Sequence, residues 1–258
     1  MSDFNKGIIS SFVGSFWWGV IGVLYFKYIS FINPLEVVSH RVLWTIVFLF
    51  LFIVFRGKLN LILEILKNKK KTFLLFLSGI LIFLNWATWI YAISVNKLVE
   101  ASFGYYIFPI LSVFFGNVFL KEKLNFKKKF SIAIILVSII YMMLFLNEFP
   151  WIGIVVAFSF SLYAVIRKVV NVETDIGLFV EVIILIPIIA FIFYYLHLDN
   201  EIVFSLINID LSLILILAGP MTVIPLFLFV RGSELSGLGN ASMIFFVAPT
   251  GQFLLGLF

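Results

Sequence analysis

A carboxylate, an imidazole and an indole recur every four residues at Glu36, His40 and Trp44, inside a run of apolar residues. Side chains four apart share one face of an α-helix, and Arg41 stands next to that face. Charged groups in such a run are costly and are usually paired or in contact with water. These residues could recognise a solute at an outer mouth or pass a proton, since a neutral imidazole can titrate near physiological pH. The alternative is that the three ionisable side chains snorkel to a nearby outer interface.

Two prolines, Pro109 and Pro249, lie in similar apolar surroundings at corresponding places in two parts of the chain. Proline lacks an amide donor, so each frees the carbonyl four residues earlier, at Tyr105 and Phe245. A helix that is broken within a membrane can present backbone groups to a solute, which predicts a pair of hinges here. The alternative is an ordinary kink whose free carbonyl is satisfied by a neighbouring helix.

Further polar and aromatic residues could line the same path. In a chain with 33 Phe, an aromatic side chain more often packs or contacts lipid, which is the alternative for most of them. The candidates are Asn85, Trp86, Tyr105 and Tyr106. A bend that acts as a gate is predicted at Pro220 and Pro225.

Residues for enzymatic chemistry are scarce. His40 and His197 are the only histidines and the chain has no Cys, so neither a His-rich nor a thiolate metal site is expected. No G-x-x-x-x-G-K-[ST] phosphate loop occurs, and no Ser/His/Asp nucleophile machinery is recognisable. The sequence therefore predicts neither an enzyme nor a bound cofactor.

The elements that would position these residues are nine apolar runs. A hydrocarbon core of about 30 Å needs roughly 20 helical residues. Hydrophobic residues make up 63% of the 258 residues and charged residues 12%, with a mean hydropathy of +1.19, which leaves too little polar surface for a soluble domain. The predicted fold class is an all-α integral membrane protein, a polytopic helical bundle. The runs cover residues 7 to 31, 35 to 56, 72 to 94, 98 to 120, 130 to 147, 151 to 169, 175 to 197, 211 to 231 and 238 to 258.

Most of the 18 basic residues fall in alternate connectors, on one side of the membrane. By the positive-inside rule the amino terminus and these connectors are cytoplasmic. The net charge of +5 then reflects topology and anionic lipid, so no nucleic-acid partner is expected. One connector, residues 57 to 71, has an apolar face and is predicted to lie along the cytoplasmic interface, with a solvated connector as the alternative.

The chain repeats itself with an offset of 140 residues, which lays runs one to four on runs six to nine. Because the repeating unit holds five runs, an odd number, the second copy enters the membrane from the opposite side. Inverted repeats are a recurring plan of secondary transporters, in which two similar halves open a central site to either side. The predicted halves are residues 1 to 147 and 151 to 258. The identities are Leu98 with Leu238, Ala101 with Ala241, Ser102 with Ser242, Pro109 with Pro249 and Gly116 with Gly256.

The offset also relates two buried charges, because Glu181 lies on Arg41. Their runs enter from opposite sides, and at 1.5 Å per residue each lies about 10 Å from its own surface, so a direct ion pair is not expected. Glu181 is predicted to pair instead with Arg167 or Lys168, which end the preceding run. Glu181 and Glu100 are further candidates for the path.

The repeat makes a prediction about length. The run at 130 to 147 predicts a tenth run near residues 270 to 287, about 140 positions later. The sequence ends at Phe258, so we expect a chain truncated at its carboxyl end, with nine of ten runs present.

Several stretches together resemble the RarD branch of the EamA-type drug/metabolite transporters, over nearly the whole chain. They are NPLEVVSHRVLW from Asn33, Asn85-Trp86, LVEASFGYYIFP from Leu98, LKEK from Leu120, AFSFSLYAVIRK from Ala157 and GLGNASMIFFVAPTGQF from Gly237. The resemblance implies a bacterial inner-membrane permease of ten helices in two EamA repeats, which moves small metabolites or drug-like molecules. The chain departs from that pattern by lacking the acidic residue expected after the ninth run and the tenth run itself.

We therefore expect a secondary transporter, a permease or exporter that works by alternating access between two inverted repeats. Its expected partners are a small-molecule solute and the lipid bilayer, with a coupling proton left open and no oligomeric state predicted. A non-transporting membrane scaffold is one alternative, although it does not explain the paired prolines. An intramembrane enzyme is the other, and it would need a convergent set of acids, bases or metal ligands that the runs do not supply.

Overall fold

A computed structural model of the chain describes residues 1 to 120, 149 to 205 and 207 to 258, together with single positions between 126 and 144. The run predicted at residues 130 to 147 therefore lies largely outside the described residues.

The described residues form helices and contain no β-strand. The first half contains α1 (Asp3–Phe16), a π-helical turn (Trp17–Ile21), α2 (Gly22–Tyr28), α3 (Pro34–Phe55), α4 (Leu59–Lys67), α5 (Lys69–Ser94) and α6 (Leu98–Leu120). The second half contains α7 (Trp151–Val170), α8 (Thr174–Ile184), α9 (Ile186–Leu198), α10 (Ile209–Ile216), α11 (Ala218–Ser236), α12 (Leu238–Ile244) and α13 (Val247–Gly256). The short helix α4 lies on the amphipathic connector, and it buries Ile62 and Ile65.

Within the described part of the chain, five helical segments are long and apolar enough to cross a membrane. The pair α8 and α9 makes a sixth if it is one span, bent by 45°. The five segments are Asp3–Tyr28, Pro34–Phe55, Lys69–Ser94, Trp151–Val170 and Ile209–Ser233. The predicted all-α, polytopic membrane fold is thus confirmed.

Local sequence signals fix several helix ends. The side chain of Asn33 accepts a backbone amide of the first turn of α3 at 2.9 Å, and Pro34 occupies the first helical position. Asn68 caps α5 in the same way at 3.1 Å. Asn171, with a left-handed φ of 47°, ends α7. Helices α3 and α5 therefore begin where an Asn side chain replaces a missing backbone partner, whereas α7 ends where the left-handed backbone of Asn171 turns its own amide onto the carbonyl of Arg167.

Small residues let the helices approach closely. Helix α1 packs along α11, and a Cβ atom added to Gly14 would lie 2.8 Å from the carbonyl oxygen of Pro225. Small residues are common where membrane helices pack, because they let the two backbones approach closely. This matters in a bilayer, where the hydrophobic effect does not drive helices together.

Two close contacts are related by the 140-residue offset. Gly79 of α5 faces the backbone of Glu181, and Gly219 of α11 faces the backbone of Trp44. A Cβ atom would lie 3.1 Å and 2.7 Å, respectively, from the nearest backbone atom. Likewise α1 packs against α11 where α7 packs against α5. These helix contacts follow the predicted offset, although their register differs by one turn, because Trp44 corresponds to Ile184 rather than to Glu181.

Several spans are interrupted. The first contains the π-helical turn, and the seventh bends at Leu185, just before Pro187; neither interruption was predicted from the sequence. Leu217 separates α10 from α11, so Pro220 lies in the first turn of α11 and Pro225 inside it. Proline at these places removes amide donors, which explains the break near Leu217.

The predicted symmetry of the helix breaks is not observed. Helix α6 continues through Pro109, whereas the ninth span is interrupted at Phe245 and Phe246, four and three residues before Pro249. A break at Pro109 is therefore corrected to a continuous helix, and whether this proline acts as a hinge stays a prediction.

Candidate functional site

A cavity of about 40 Å³ lies between helices of both halves. Much of its wall is aromatic and includes the indoles of Trp18, Trp86 and Trp89. A space of this size holds a few water molecules but no organic solute. Its polar wall residues are Arg41, Asn85, Tyr105, Thr222 and Gln252.

Arg41, from α3, is the one cation among the described wall residues, and only 4% of it is exposed. Its guanidinium carbon lies 4.4 Å from the ring centroid of Trp86 and 5.1 Å from that of Phe26. Its Nε donates to the hydroxyl of Thr222 at 2.8 Å. Two aromatic faces and a hydroxyl thus hold the charge, since cations are attracted to the faces of aromatic rings.

A second polar group joins α5, α6 and α7. The Tyr105 hydroxyl donates to Oδ1 of Asn85 at 2.8 Å. The amide nitrogen of Asn85 in turn donates to the carbonyl of Val156 at 3.1 Å and to the Ser159 hydroxyl at 3.2 Å. Buried amides need such partners, so Asn85 is a fixed part of the wall.

Two side chains from residues 238 to 258 complete the cavity wall, the ring of Phe245 and the amide of Gln252. Gln252 accepts a hydrogen bond from the indole nitrogen of Trp89 at 3.2 Å. The carbonyl of Phe245, which Pro249 frees, accepts the amide of Ala248 at 2.9 Å. The break places Phe245 in the cavity wall. Whether backbone groups near Pro249 meet the solute stays a prediction.

Glu36 and His40 form a separate cluster at the end of the bundle where α3 begins, which we call the outer cluster because the predicted topology places this end outside. Glu36 is fully buried and accepts the backbone amides of Val203 and Phe204 at 2.9 to 3.0 Å. The His40 ring lies 3.7 Å from the Glu36 carboxylate and 4.7 Å, between centroids, from the ring of Phe204. The snorkelling alternative is therefore wrong for both, because neither side chain reaches solvent. They also do not line the cavity, so the predicted single patch with Arg41 is divided in two.

Three other predicted residues lie away from the cavity. Glu100 accepts the Ile152 amide at 2.9 Å and so caps α7. The hydroxyl of Tyr106 lies 2.8 Å from that of Thr250, on a partly exposed face. Trp44 packs near the outer cluster, against α11. For Tyr106 the reason is helical phase, since a residue one position from the wall residue Tyr105 points about 100° away from it.

Glu181 lies in a polar group of its own. Its carboxylate is 3.5 Å from the guanidinium of Arg167, and it accepts hydrogen bonds from the hydroxyls of Ser78 and Tyr163. It does not line the cavity. The contact matches the predicted pairing with Arg167, and no ion pair joins Glu181 to Arg41 among the described residues. A buried ion pair supported by two hydroxyl groups is a structural arrangement. Loss of one member is costly, because the other charge then stays buried without a partner.

Only four of the fifteen residues that line the cavity were among the candidates predicted from the sequence, namely Arg41, Asn85, Trp86 and Tyr105. Trp18, Phe26 and Trp89 come from apolar runs in which many aromatic residues face lipid, so nothing in the spacing singles them out. Gln252 carried a usable signal, because it is the one side-chain amide in the interior of the last run, whereas Asn240 lies at the start of that run. No group of three or more His, Asp or Glu side chains that could hold a metal lies within the described residues.

Known proteins match this chain over nearly all its length. Residues 5–144 match the model of the EamA-like transporter family. The "Uncharacterized transporter YojE" of Bacillus subtilis is 33% identical over all of this chain and 86% of its own. The "Uncharacterized transporter" of Vibrio cholerae is 30% identical over 99% of this chain and 84% of its own. The "Protein RarD" of Escherichia coli is 27% identical over 98% and 85%.

No solved structure matches the chain. The family match covers more than half of the sequence, and the related transporters extend it across the second half. The resemblance inferred from the motifs is therefore confirmed. This chain belongs to the EamA-like transporter family and is a RarD-like member of the drug/metabolite transporters.

Proposed function

We propose that this multi-pass membrane protein is a secondary transporter that moves a small molecule by alternating access between two inverted five-helix halves. The cavity is the observation that carries the proposal. Arg41, Trp86 and Tyr105 reach it from the first half, and Thr222 and Gln252 reach it from the second. A solute bound there would contact both halves, so a relative movement of the halves would expose it to either side.

The contacts related by the 140-residue offset support the inverted arrangement. Gly79 and Gly219 each make a close approach to the other half, and the pairs α1 with α11 and α7 with α5 also join the two halves in equivalent ways. Two halves that contact each other through equivalent helices can exchange conformations at little net cost, because each adopts the arrangement that the other leaves.

The small volume of the cavity implies that the helices around it must move apart before a solute can bind. Drug-sized ligands occupy pockets of roughly 300 to 1,000 Å³, whereas this one measures about 40 Å³. The spans can change direction most easily where their helices are already interrupted. These places are the π-helical turn, the bend at Leu185 and the break at Phe245. They serve as the hinges that open the cavity.

Contacts between the second and seventh spans close the two ends. At one end Arg56 pairs with Asp175, and Lys58 pairs with Glu173. At the other end Glu36 holds the segment that follows α9 through two backbone amides. With the amino terminus cytoplasmic, as the basic connectors indicate, the Arg56 pair is the inner closure and the Glu36 contact the outer one. The membrane is the bacterial inner membrane.

Uptake by liposomes tests the proposal. The purified chain is reconstituted, and the uptake of labelled amino acids, aromatic acids and amphipathic drugs is measured with and without the same unlabelled solute inside. We expect saturable uptake of at least one solute. Ile82→Trp fills the cavity wall and should abolish that uptake, while Leu84→Trp, on the exposed face of the same helix, should retain it. No uptake across the panel, or equal uptake in both variants, would overturn the proposal.

A further inference from the structure

We infer that the cavity selects solutes that carry an anionic group, held by Arg41, on an aromatic or apolar body. This inference rests on the proposed function and adds the class of its substrate.

The guanidinium of Arg41 has donors to spare. Of its five N–H groups, the one on Nε binds the Thr222 hydroxyl. Among the described residues no acceptor lies within hydrogen-bonding distance of the four N–H groups on its two terminal nitrogens. Because Arg41 lines the cavity, these donors belong to its wall. The geometry is that of a fork awaiting two oxygen atoms, as a carboxylate or phosphate supplies them.

The protein does not neutralise this charge within the part of the chain that the structure describes. The ionisable groups that face Arg41 are the phenols of Tyr25 and Tyr105. Of the three buried carboxylates among the described residues, Glu36 binds backbone amides, Asp175 binds Arg56 and Glu181 binds Arg167. The cavity therefore holds a cation without a carboxylate, and a buried charge that lacks a counterion is unfavourable until an anion joins it.

The two halves place opposite charges at equivalent positions, but only the positive charge lies in the cavity wall. Glu181 occupies the place equivalent to Arg41, yet its carboxylate lies with Ser78, Tyr163 and Arg167, outside the cavity wall. The second half thus brings no opposite charge to the shared cavity, and only the positive member of the pair faces the solute.

The remaining wall indicates the rest of the solute. Trp18, Trp89, Phe160 and Phe245 contribute aromatic surface, and Ile82 is among the aliphatic side chains. Aromatic rings offset-stack or meet edge to face, so this wall favours a flat or apolar body next to the anionic group.

Binding of four matched compounds tests the inference. Phenylacetate, phenylacetamide and phenethylamine share one ring but carry an anion, a neutral amide and a cation, and acetate carries the anion without the ring. Their dissociation constants are measured by equilibrium dialysis on the purified full-length chain in lipid nanodiscs. We expect phenylacetate to bind about tenfold or more tightly than each of the others, as charge-assisted hydrogen bonds and ring burial would give.

Three variants assign the preference to its residue. Arg41→Gln should remove the preference for phenylacetate over phenylacetamide while phenylacetamide still binds, which also shows that the cavity is intact. Arg41→Lys should keep part of the preference, because it keeps the charge but loses the fork. Lys67→Gln removes one exposed positive charge from α4 and should change nothing. If Arg41→Gln does not fold, the wild-type series alone decides.

The outcomes are separable from those of the transport proposal. Equal affinities for the three ring compounds, tightest binding of phenethylamine, no binding of any compound, or an unchanged preference in folded Arg41→Gln each overturn the anion inference. Uptake of neutral or cationic solutes without an anion preference would leave transport standing and remove only the inference. An anion preference without uptake of any solute would leave the inference standing and remove only the transport proposal.

Discussion

The guanidinium of Arg41 lies over the ring of Trp86, with its carbon 4.4 Å from the ring centroid. The two residues come from α3 and α5, so the contact joins two spans at the cavity wall. The aromatic face partly replaces the hydration that the cation loses on burial. One contact thus both holds two helices together and keeps a charge in place for a solute.

Replacing Trp86 should weaken the fold. Trp86→Leu removes the ring under Arg41 and leaves a void, which should lower the free energy of unfolding by about 2 to 4 kcal/mol. Trp86→Phe keeps a ring and should cost less. Unfolding by a denaturing detergent in mixed micelles measures both, with the half-exposed Trp151→Leu as the control. A Trp86→Leu protein as stable as the parent would show that the contact is incidental.

The Arg167 and Glu181 pair should behave as a unit. Glu181→Gln leaves the buried Arg167 without its counterion and should lower the free energy of unfolding by about 3 to 5 kcal/mol. The double variant Glu181→Gln, Arg167→Gln should recover part of that loss, because no unpaired charge remains. A double-mutant cycle gives the coupling energy. Strictly additive losses would rule out a direct interaction.

Glu36 should hold the outer segment after α9 in place. In Glu36→Gln an amide group replaces one acceptor oxygen and faces two backbone donors, so the segment should open. The chain has no Cys, and Val203→Cys therefore gives a single reporter. Its labelling by a thiol reagent should rise severalfold in Glu36→Gln but not in Asp210→Asn, which removes an exposed charge from the first turn of α10. Unchanged labelling would mean that Glu36 does not close this end.

The sequence predicted the fold because the membrane leaves few options. Every backbone group must be satisfied within its own span, so an apolar run of sufficient length predicts a helix without knowledge of its neighbours. Asn33, Asn68 and Asn171 then set helix ends through short-range hydrogen bonds that the chain itself encodes.

The site was harder to predict, because which face of a helix meets the cavity depends on packing. Asn85, Trp86 and Tyr105 were predicted to line a cavity and are found in its wall, whereas Arg41, which is also in the wall, was predicted beside Glu36 and His40 instead. His40 differs from Arg41 by one position, yet it faces the outer cluster, because one residue turns the side chain by about 100°. Spacing alone gives the order of such faces around a helix but not the neighbour that each one meets.

The breaks in the spans show a similar limit. Pro109 and Pro249 occupy equivalent places, but only the second lies after an interrupted helix. Proline removes a donor in both cases, and the surrounding helices determine whether the chain bends or stays regular. The bend at Leu185 precedes Pro187, a proline that spacing gave no reason to prefer.

Access to the cavity from both sides is the most direct test of the proposed transport mechanism. Met221→Cys places a single thiol in the cavity wall. A membrane-impermeant thiol reagent is applied to right-side-out and to inside-out vesicles, with and without Arg56→Gln, which breaks the proposed inner closure. We predict labelling from both sides, with the cytoplasmic rate raised in Arg56→Gln. Labelling from one side alone, or from neither, in both proteins would contradict alternating access.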